Sequence, residues 1–220
     1  MFRWLGSVAP STELAWDCAT GSGQAAVELA EVFERIIATD ASEKQIANAE
    51  RHQQVEYRVA TAEKSGLASS SVDLITVAQA LHWFDLDRFE AEARRVAKPR
   101  GIVAAWAYKL ATVSPTIDAV VNHYYTEVVG PYWPAERVLV EKFEELPFPF
   151  HEIETPAFTM AAEWSVEQLL GYLRTWSATQ RFMAAKQQNP LEEVERALRE
   201  AWSSEMRRVI WPLTLRVGRV

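Results

Sequence analysis

Hydrophobic positions in the first half of the chain switch between two periods. Leu14 to Cys18 is a short apolar run that leads directly into the polar turn Ala19-Thr20-Gly21-Ser22-Gly23. From Gln24 to Phe33 the apolar residues fall at Ala26, Leu29, Ala30 and Phe33, which is one face of a helix. Arg35 to Thr39 is rich in β-branched residues and ends in Asp40, so it predicts a second strand. Ser42 and Gln45 have capping-box spacing at the head of a helix running to Arg51. Val55 to Val59 alternates with period two and predicts a third strand. After a polar loop, Ser65 to Ser71, come a fourth strand over Val72–Ala78 and a helix over Leu86–Lys98 stopped by Pro99-Arg100-Gly101. Ile102 to Trp106 predicts a fifth strand. Strands and helices in this alternation require right-handed crossovers, hence a parallel sheet covered on both faces.

The rhythm breaks after Lys109. Thr116 to Val129 reads as helix, with Val120, Val121, Tyr124 and Tyr125 on one side. Two ring-rich turns follow, Gly130-Pro131-Tyr132-Trp133-Pro134 and Pro147-Phe148-Pro149-Phe150. His151 to Met160 reads as an extended segment interrupted by Pro156, Val166–Ala185 and Leu191–Ser203 as two helices, and Val209–Val217 as a late strand. Pro212 favours an edge or an end for that strand. The expected architecture is a Rossmann-like doubly wound α/β sheet with an inserted helical lid over its carboxyl ends. One domain spans 1–220: a ligand-binding half to residue 110, a lid and substrate region over 111–205, and a last strand over 206–220.

Composition removes several classes of function. At 220 residues and 49% apolar, the chain can bury a full core. A net charge of −7 gives no general footprint for nucleic acid or an anionic membrane. The single cysteine, Cys18, allows no internal disulfide and suits the cytoplasm. There is no apolar run long enough to span a bilayer, and Met1 to Gly6 turns polar too quickly for a signal peptide. Nine tryptophans, most of them in the second half, read as core with a share available to line a pocket. His52, His123 and His151 lie scattered without metal-ligand spacing, so no metal is expected. No G-x-S-x-G elbow is present, which leaves an esterase without its nucleophile.

The glycine turn carries the chemistry. Gly21-Ser22-Gly23-Gln24-Ala25-Ala26 matches the dinucleotide fingerprint with alanine in third place, and Asp40 stands where an acid takes ribose hydroxyls. An NAD-dependent oxidoreductase is therefore a competing reading. Asp17, at the end of the first strand, discriminates: its carboxylate repels a diphosphate but attracts the ammonium and sulfonium of S-adenosylmethionine. As purely structural residues, Asp17 is a turn acid and Asp40 a helix cap.

At this point the chain resembles the class I S-adenosylmethionine-dependent methyltransferases, in the type-11 group that is similar to trans-aconitate methyltransferases. The resemblance rests on Asp17-Cys18-Ala19-Thr20-Gly21-Ser22-Gly23-Gln24, Ala38-Thr39-Asp40-Ala41-Ser42 and Ala60-Thr61-Ala62-Glu63. It continues through Ser71-Val72-Asp73-Leu74-Ile75, Ala78-Gln79-Ala80-Leu81-His82-Trp83-Phe84 and Arg95-Val96-Ala97-Lys98-Pro99. Tyr172-Leu173-Arg174-Thr175-Trp176-Ser177 resembles the subgroup's lid helix. The resemblance implies a sheet of seven mostly parallel strands, the last antiparallel. It implies that Asp17 and the turn through Ala19, Gly21, Gly23 and Gln24 hold the methionine part of S-adenosylmethionine. Asp40 then takes the ribose, Ala41 packs near the adenine, Ala62 and Glu63 lie at its edge, and Gln79 and Ala80 close the methionine side.

Methyl transfer is an in-line displacement in which the protein mostly positions the nucleophile and excludes water. His82 is the catalytic candidate, as base or hydrogen-bond donor, with packing as the alternative; Trp83 belongs to the cleft wall. Arg174 suits an acidic small-molecule acceptor, a carboxylic acid, or is a solvated helix charge; Tyr172 and Trp176 flank it. A cofactor-binding but catalytically silent domain is the third reading. Two departures from the family stand out. Cys18-Ala19 stands where the family usually has alanine-glycine or glycine-cysteine; Ala19 is small and expected to be harmless, although it trims backbone freedom at the turn. Only about a dozen residues precede the first strand, where relatives carry a longer helical segment; Phe2-Arg3-Trp4-Leu5 resembles its tail. The expectation is weak cofactor binding or an open cleft.

Overall fold

The computed structural model describes residues 1–203 and 205–220. In chain order the elements are α1 (Phe2–Val8), β1 (Leu14–Cys18), α2 (Gln24–Leu29), β2 (Arg35–Asp40), α3 (Glu43–Ala47), β3 (Val55–Val59), β4 (Val72–Ala78), α4 (Leu86–Val96) and β5 (Ala97–Tyr108). Then follow α5 (Pro115–His123), α6 (Arg137–Glu141), β6 (His151–Glu152), β7 (Thr159–Trp164), α7 (Val166–Thr175), α8 (Ser177–Lys186), α9 (Glu195–Trp202) and β8 (Arg207–Arg219). They form two compact units, one of 1–107, 142–158 and 214–220, the other of 108–141 and 159–213. None of the helices is long and apolar enough to cross a membrane, among the described residues.

The strand order is β3-β2-β1-β4-β5-β8-β6, with β7 paired to β8 off this path. β1 pairs in parallel with both β2 and β4, β2 with β3, and β4 with β5. β6 and β7 both run antiparallel to β8. The order reverses between β1 and β4, and in open α/β sheets that reversal opens a crevice at the carboxyl ends of the strands. The five parallel strands fall where the apolar pattern predicts them. The sheet has eight strands because the 151–164 stretch, broken at Pro156, contributes two short ones.

The core of the first unit lies against this sheet. Leu5, Ala26, Leu29, Phe33, Ile36, Leu74 and Ile102 are buried in one cluster, each large side chain contributing about 1.5–3 kcal/mol by leaving water. Phe2 of α1 meets Trp106 edge to face at 5.9 Å, so α1 is anchored to this core. Trp16 is fully buried, and its Nε1–H donates to Thr39 Oγ1 at 2.8 Å. The second unit packs Ile117, Tyr124, Leu169, Leu173, Trp176, Leu198, Trp202 and Trp211 into its own core, so three late tryptophans are core residues.

Several helices are shorter than their periodicity predicts. α2 ends at Leu29, and a turn closed by the Phe33 N–H on the Leu29 carbonyl carries the chain on. α3 ends at Ala47; the Ser42 side chain accepts from the Gln45 N–H at 3.3 Å. α4 ends at Val96 because Lys98 precedes a proline, which disfavours helix, and the chain turns extended at Ala97 to begin β5. The 116–129 helix gives way at Tyr124 to a wider turn over Tyr124–Val128. The 166–185 helix is two helices, broken at Trp176, whose backbone is extended (φ −60°, ψ 137°). The Trp176 ring sits within 6 Å of Tyr124, Tyr125, Trp133 and Tyr172. The carbonyls left open at the break are satisfied by side chains: Thr179 Oγ1 donates to Leu173 O at 2.8 Å and Gln180 Nε2 to Arg174 O at 2.7 Å.

One buried carboxylate ties the start of the sheet together. Asp73 accepts from Ser11 Oγ at 2.7 Å and the Leu14 N–H at 3.0 Å, and pairs with Lys98 Nζ at 3.0 Å. Burial pushes its pKa up, but the Ser11 and Leu14 hydrogen bonds and the Lys98 ammonium outweigh that and hold it below 3.8. Its stabilisation is therefore present at neutral pH and lost as pH falls through the folded-state pKa. Asp73→Ala is expected to cost about 3 kcal/mol, read as a lower urea midpoint at pH 7, because it leaves the Leu14 N–H without its acceptor and Lys98 with Glu13 as its one remaining carboxylate among the described residues.

Candidate functional site

The turn between β1 and α2 packs three left-handed residues into five: Ala19 (φ +56°), Gly21 (φ +58°) and Gly23 (φ +87°). The Thr20 N–H donates to Thr39 O at 2.9 Å and the Gly23 N–H to Thr20 O at 3.0 Å. A Cβ on Gly23 would lie 2.2 Å from the Tyr57 hydroxyl oxygen, so only glycine fits there. Ala19 is not conformationally neutral, contrary to expectation: an L-residue in this region is strained by about 1–2 kcal/mol.

Asp17 ends β1 only 1% exposed. Thr20 Oγ1 donates to its Oδ2 at 2.5 Å, and Thr76 Oγ1 to its Oδ1 at 2.6 Å. Burial raises its pKa to about 6, with the two threonine bonds opposing and the Asp40 charge adding to the rise. The neighbouring Cys18 thiol is pushed up by burial and then by the charges of Asp17, Glu63 and Asp40. Three carboxylates thus bear on one strand end. Among the described residues, no lysine or arginine forms an ion pair with Asp17, Asp40 or Glu63. Uncompensated acid around an open glycine turn fits a cationic ligand and opposes a diphosphate.

Asp40 organises the turn itself. Its Oδ2 accepts from the Gly21 N–H and its Oδ1 from the Ser42 N–H, both at 2.9 Å, so one acid fixes the glycine turn and the head of α3. Ala41 is exposed just beyond it, and Gln24 is exposed at the first position of α2. Ala62 is buried, and half-buried Glu63 accepts the Asp85 N–H at 3.2 Å. Gln79 follows β4 in a left-handed conformation (φ +56°), its N–H donating to Trp106 O at 2.9 Å, and Ala80 beside it is buried. His82 lies on the single turn Leu81–Trp83, its ring centroid 4.8 Å from that of Trp83, which is 60% exposed.

All these residues belong to the first unit; Tyr172, Arg174 and Trp176 belong to the second. Tyr172 packs against Trp164, Trp176 and Trp211, and Trp176 is buried. Arg174 is exposed and makes no ion pair among the described residues. Linear pattern misses Thr20, Thr39, Thr76 and Tyr57. The signal that finds them is register: β1 and β4 place Asp17 beside Thr76, and β1 and β2 place Cys18 beside Thr39.

Comparison with known proteins fits this geometry. Residues 16–105 match the methyltransferase domain family, type 11. A Dictyostelium discoideum protein named as a candidate methyltransferase is 36% identical over 196 residues, covering 87% of this chain and 74% of the relative. A methyltransferase of Aspergillus candidus is 28% identical over 162 residues, and the chain spans half of its length. The solved structure of a candidate type II methyltransferase from Anaeromyxobacter dehalogenans superposes with a TM-score of 0.94 at 49% identity, over 99% of this chain and 94% of that one. A strand order that opens its crevice beside an acid-lined glycine turn, on a chain with these relatives, belongs to the class I S-adenosylmethionine-dependent methyltransferases.

Proposed function

We propose that the chain transfers the methyl group of S-adenosylmethionine to a small molecule bearing a carboxyl group. The observation that carries the donor side is the trio Asp17, Asp40 and Glu63, which bears on one strand end with no lysine or arginine paired to it among the described residues. When bound, the cofactor supplies an electrophilic methyl and its own leaving group. Asp17 and the turn from Ala19 through Gly21 and Gly23 to Gln24 hold the methionine part. Asp40, already oriented by two backbone N–H groups, takes the ribose hydroxyls. Ala41, Ala62 and Glu63 frame the adenine, and Gln79 and Ala80 close the methionine side.

For the acceptor, the exposed guanidinium of Arg174, which makes no ion pair among the described residues, and the resemblance to trans-aconitate methyltransferases both support an acid. Tyr172, Trp176 and Trp83 are assigned to its recognition. A carboxylate nucleophile needs no base, so His82 serves it by orienting an oxygen through a hydrogen bond, and takes a proton only from a hydroxyl or amine. A net charge of −7 argues against a nucleic-acid acceptor, and the buried single thiol suits the cytoplasm.

Turnover of methyl-labelled S-adenosylmethionine with a panel of small carboxylic acids tests this, with a labelled ester as the expected product. Arg174→Gln should raise KM for the acid at least tenfold, since a charged hydrogen bond is worth about 1.5–3 kcal/mol. Binding of S-adenosylhomocysteine with no turnover on any acceptor class would favour the silent-domain reading.

Asp17 ties stability to cofactor binding. Its carboxyl titrates near 6 in the fold against an ordinary 3.8, so the folded protein holds that proton more tightly than the unfolded chain. The stabilisation is complete below about pH 4 and is lost as pH rises through 6. Asp17→Asn should therefore raise the stability of the cofactor-free protein at pH 7.5 by up to about 3 kcal/mol while weakening S-adenosylhomocysteine at least tenfold. Wild-type affinity should climb from pH 5 to 7 and level off, and the variant should be flat; calorimetry across that range reads both. Ala19→Gly should gain about 0.5–1 kcal/mol in a thermal melt by relieving the left-handed strain.

A further inference from the structure

The second unit carries a cleft of about 370 Å³ that the methyl-donor chemistry does not use, lined by Tyr125, Trp133, Arg137, Val138 and Glu141 among others. Arg137 and Glu141 are four apart on α6, the spacing at which such residues commonly pair. Here they make no direct ion pair. The Tyr125 hydroxyl stands between them, accepting from Arg137 Nε at 3.0 Å and donating to Glu141 Oε1. Burial, and then the Glu141 bond, push the Tyr125 pKa up, so the phenol stays protonated and keeps this arrangement at neutral pH.

The guanidinium is held firmly. Its central carbon lies 4.9 Å from the Trp133 ring centroid and 5.5 Å from that of Tyr125, and the two rings are 4.9 Å apart. Trp133 Nε1 donates to Tyr125 O at 3.2 Å, which fixes the indole. Among the described residues, Arg137 donates through Nε alone, which leaves both terminal amino groups to donate in the fork geometry that a carboxylate matches. Glu141 likewise has an oxygen, Oε2, beyond the one Tyr125 uses. Val138, 48% exposed, adds an apolar surface.

We propose that this cleft binds a zwitterionic amino acid with an apolar side chain: carboxylate on Arg137, ammonium on Glu141, side chain against Val138 and the edge of Trp133. Charge balance selects this class. One fixed cation and one fixed anion, kept apart by a phenol, sum to zero, so a simple anion meets Glu141, a simple amine meets Arg137, and only a ligand with both charges meets neither as a repulsion. The cleft volume lies in the range of small-molecule sites.

The test is isothermal titration of the full chain, first saturated with S-adenosylhomocysteine so that no probe can enter the cofactor's own methionine position. L-Phenylalanine is expected to bind at one site. 3-Phenylpropionate and phenethylamine, each lacking one charge, should bind at least tenfold more weakly. Arg137→Gln and Glu141→Gln should each weaken L-phenylalanine at least tenfold. Tyr125→Phe, which keeps the rings but lets Arg137 and Glu141 pair with each other, should weaken it as well. No L-phenylalanine binding, equal binding of phenylpropionate, or indifference to the Arg137 and Glu141 changes would overturn the proposal. The saturating S-adenosylhomocysteine titration is read independently, so failure of this site and failure of the methyl-donor reading give different results.

Discussion

The structure of the cofactor half depends on a carboxylate, Asp17, that pairs with no lysine or arginine among the described residues. Asp17 is buried between two threonine hydroxyls at the end of the central strand, and the nearby acids make its ionised form harder to hold. Two hydroxyl bonds do not offset the burial, so its pKa rises to about 6. A core selected for stability alone would not keep such a group. The strand end is thus incomplete by itself, and the charge it lacks is the charge a sulfonium ligand carries. Asp73, on the neighbouring strand, is the contrast: equally buried, it has Lys98 and is held below its ordinary pKa. One fold contains both solutions to a buried acid, one paired within the protein and one left with hydroxyl partners alone.

Much of this was legible in the sequence, for definite reasons. β1, β2 and β4 are apolar runs buried along most of their length, while the edge strand β3 alternates and stays partly exposed. The glycine turn announced itself because left-handed backbone and close approach demand glycine, and Asp17 and Asp40 stand at the strand ends on either side of it. What the sequence hid depends on register and on tertiary context. Thr76 lies beside Asp17 only because β1 and β4 pair as they do. The break at Trp176 is invisible to helical periodicity, because an indole among four other rings outweighs the local preference to continue the helix. Ala19 hid for a different reason: its small side chain looks innocuous until its φ is known.

The second unit follows another logic. Its tryptophans and tyrosines form a continuous chain of edge and tilted contacts from Trp133 through Trp176 and Tyr172 to Trp211. Rings of this kind supply large contact areas with few rotatable bonds, which suits a rigid scaffold for polar groups. The Arg137, Tyr125 and Glu141 arrangement rests on that scaffold, so its hydrogen-bond geometry is fixed by packing rather than by the charges themselves.

The late strand β8 has a consequence for synthesis. Its neighbour in the sheet, β5, is complete by Tyr108, but β8 begins only at Arg207. At a translation rate of about 5–20 residues per second, β5 waits on the order of 5–20 s for its partner. Through that interval a long apolar strand presents an unpaired edge, the kind of surface on which nascent chains associate wrongly. Holding that edge until the last strand arrives is a task for the cell's chaperones, and slow translation between the two strands lengthens it.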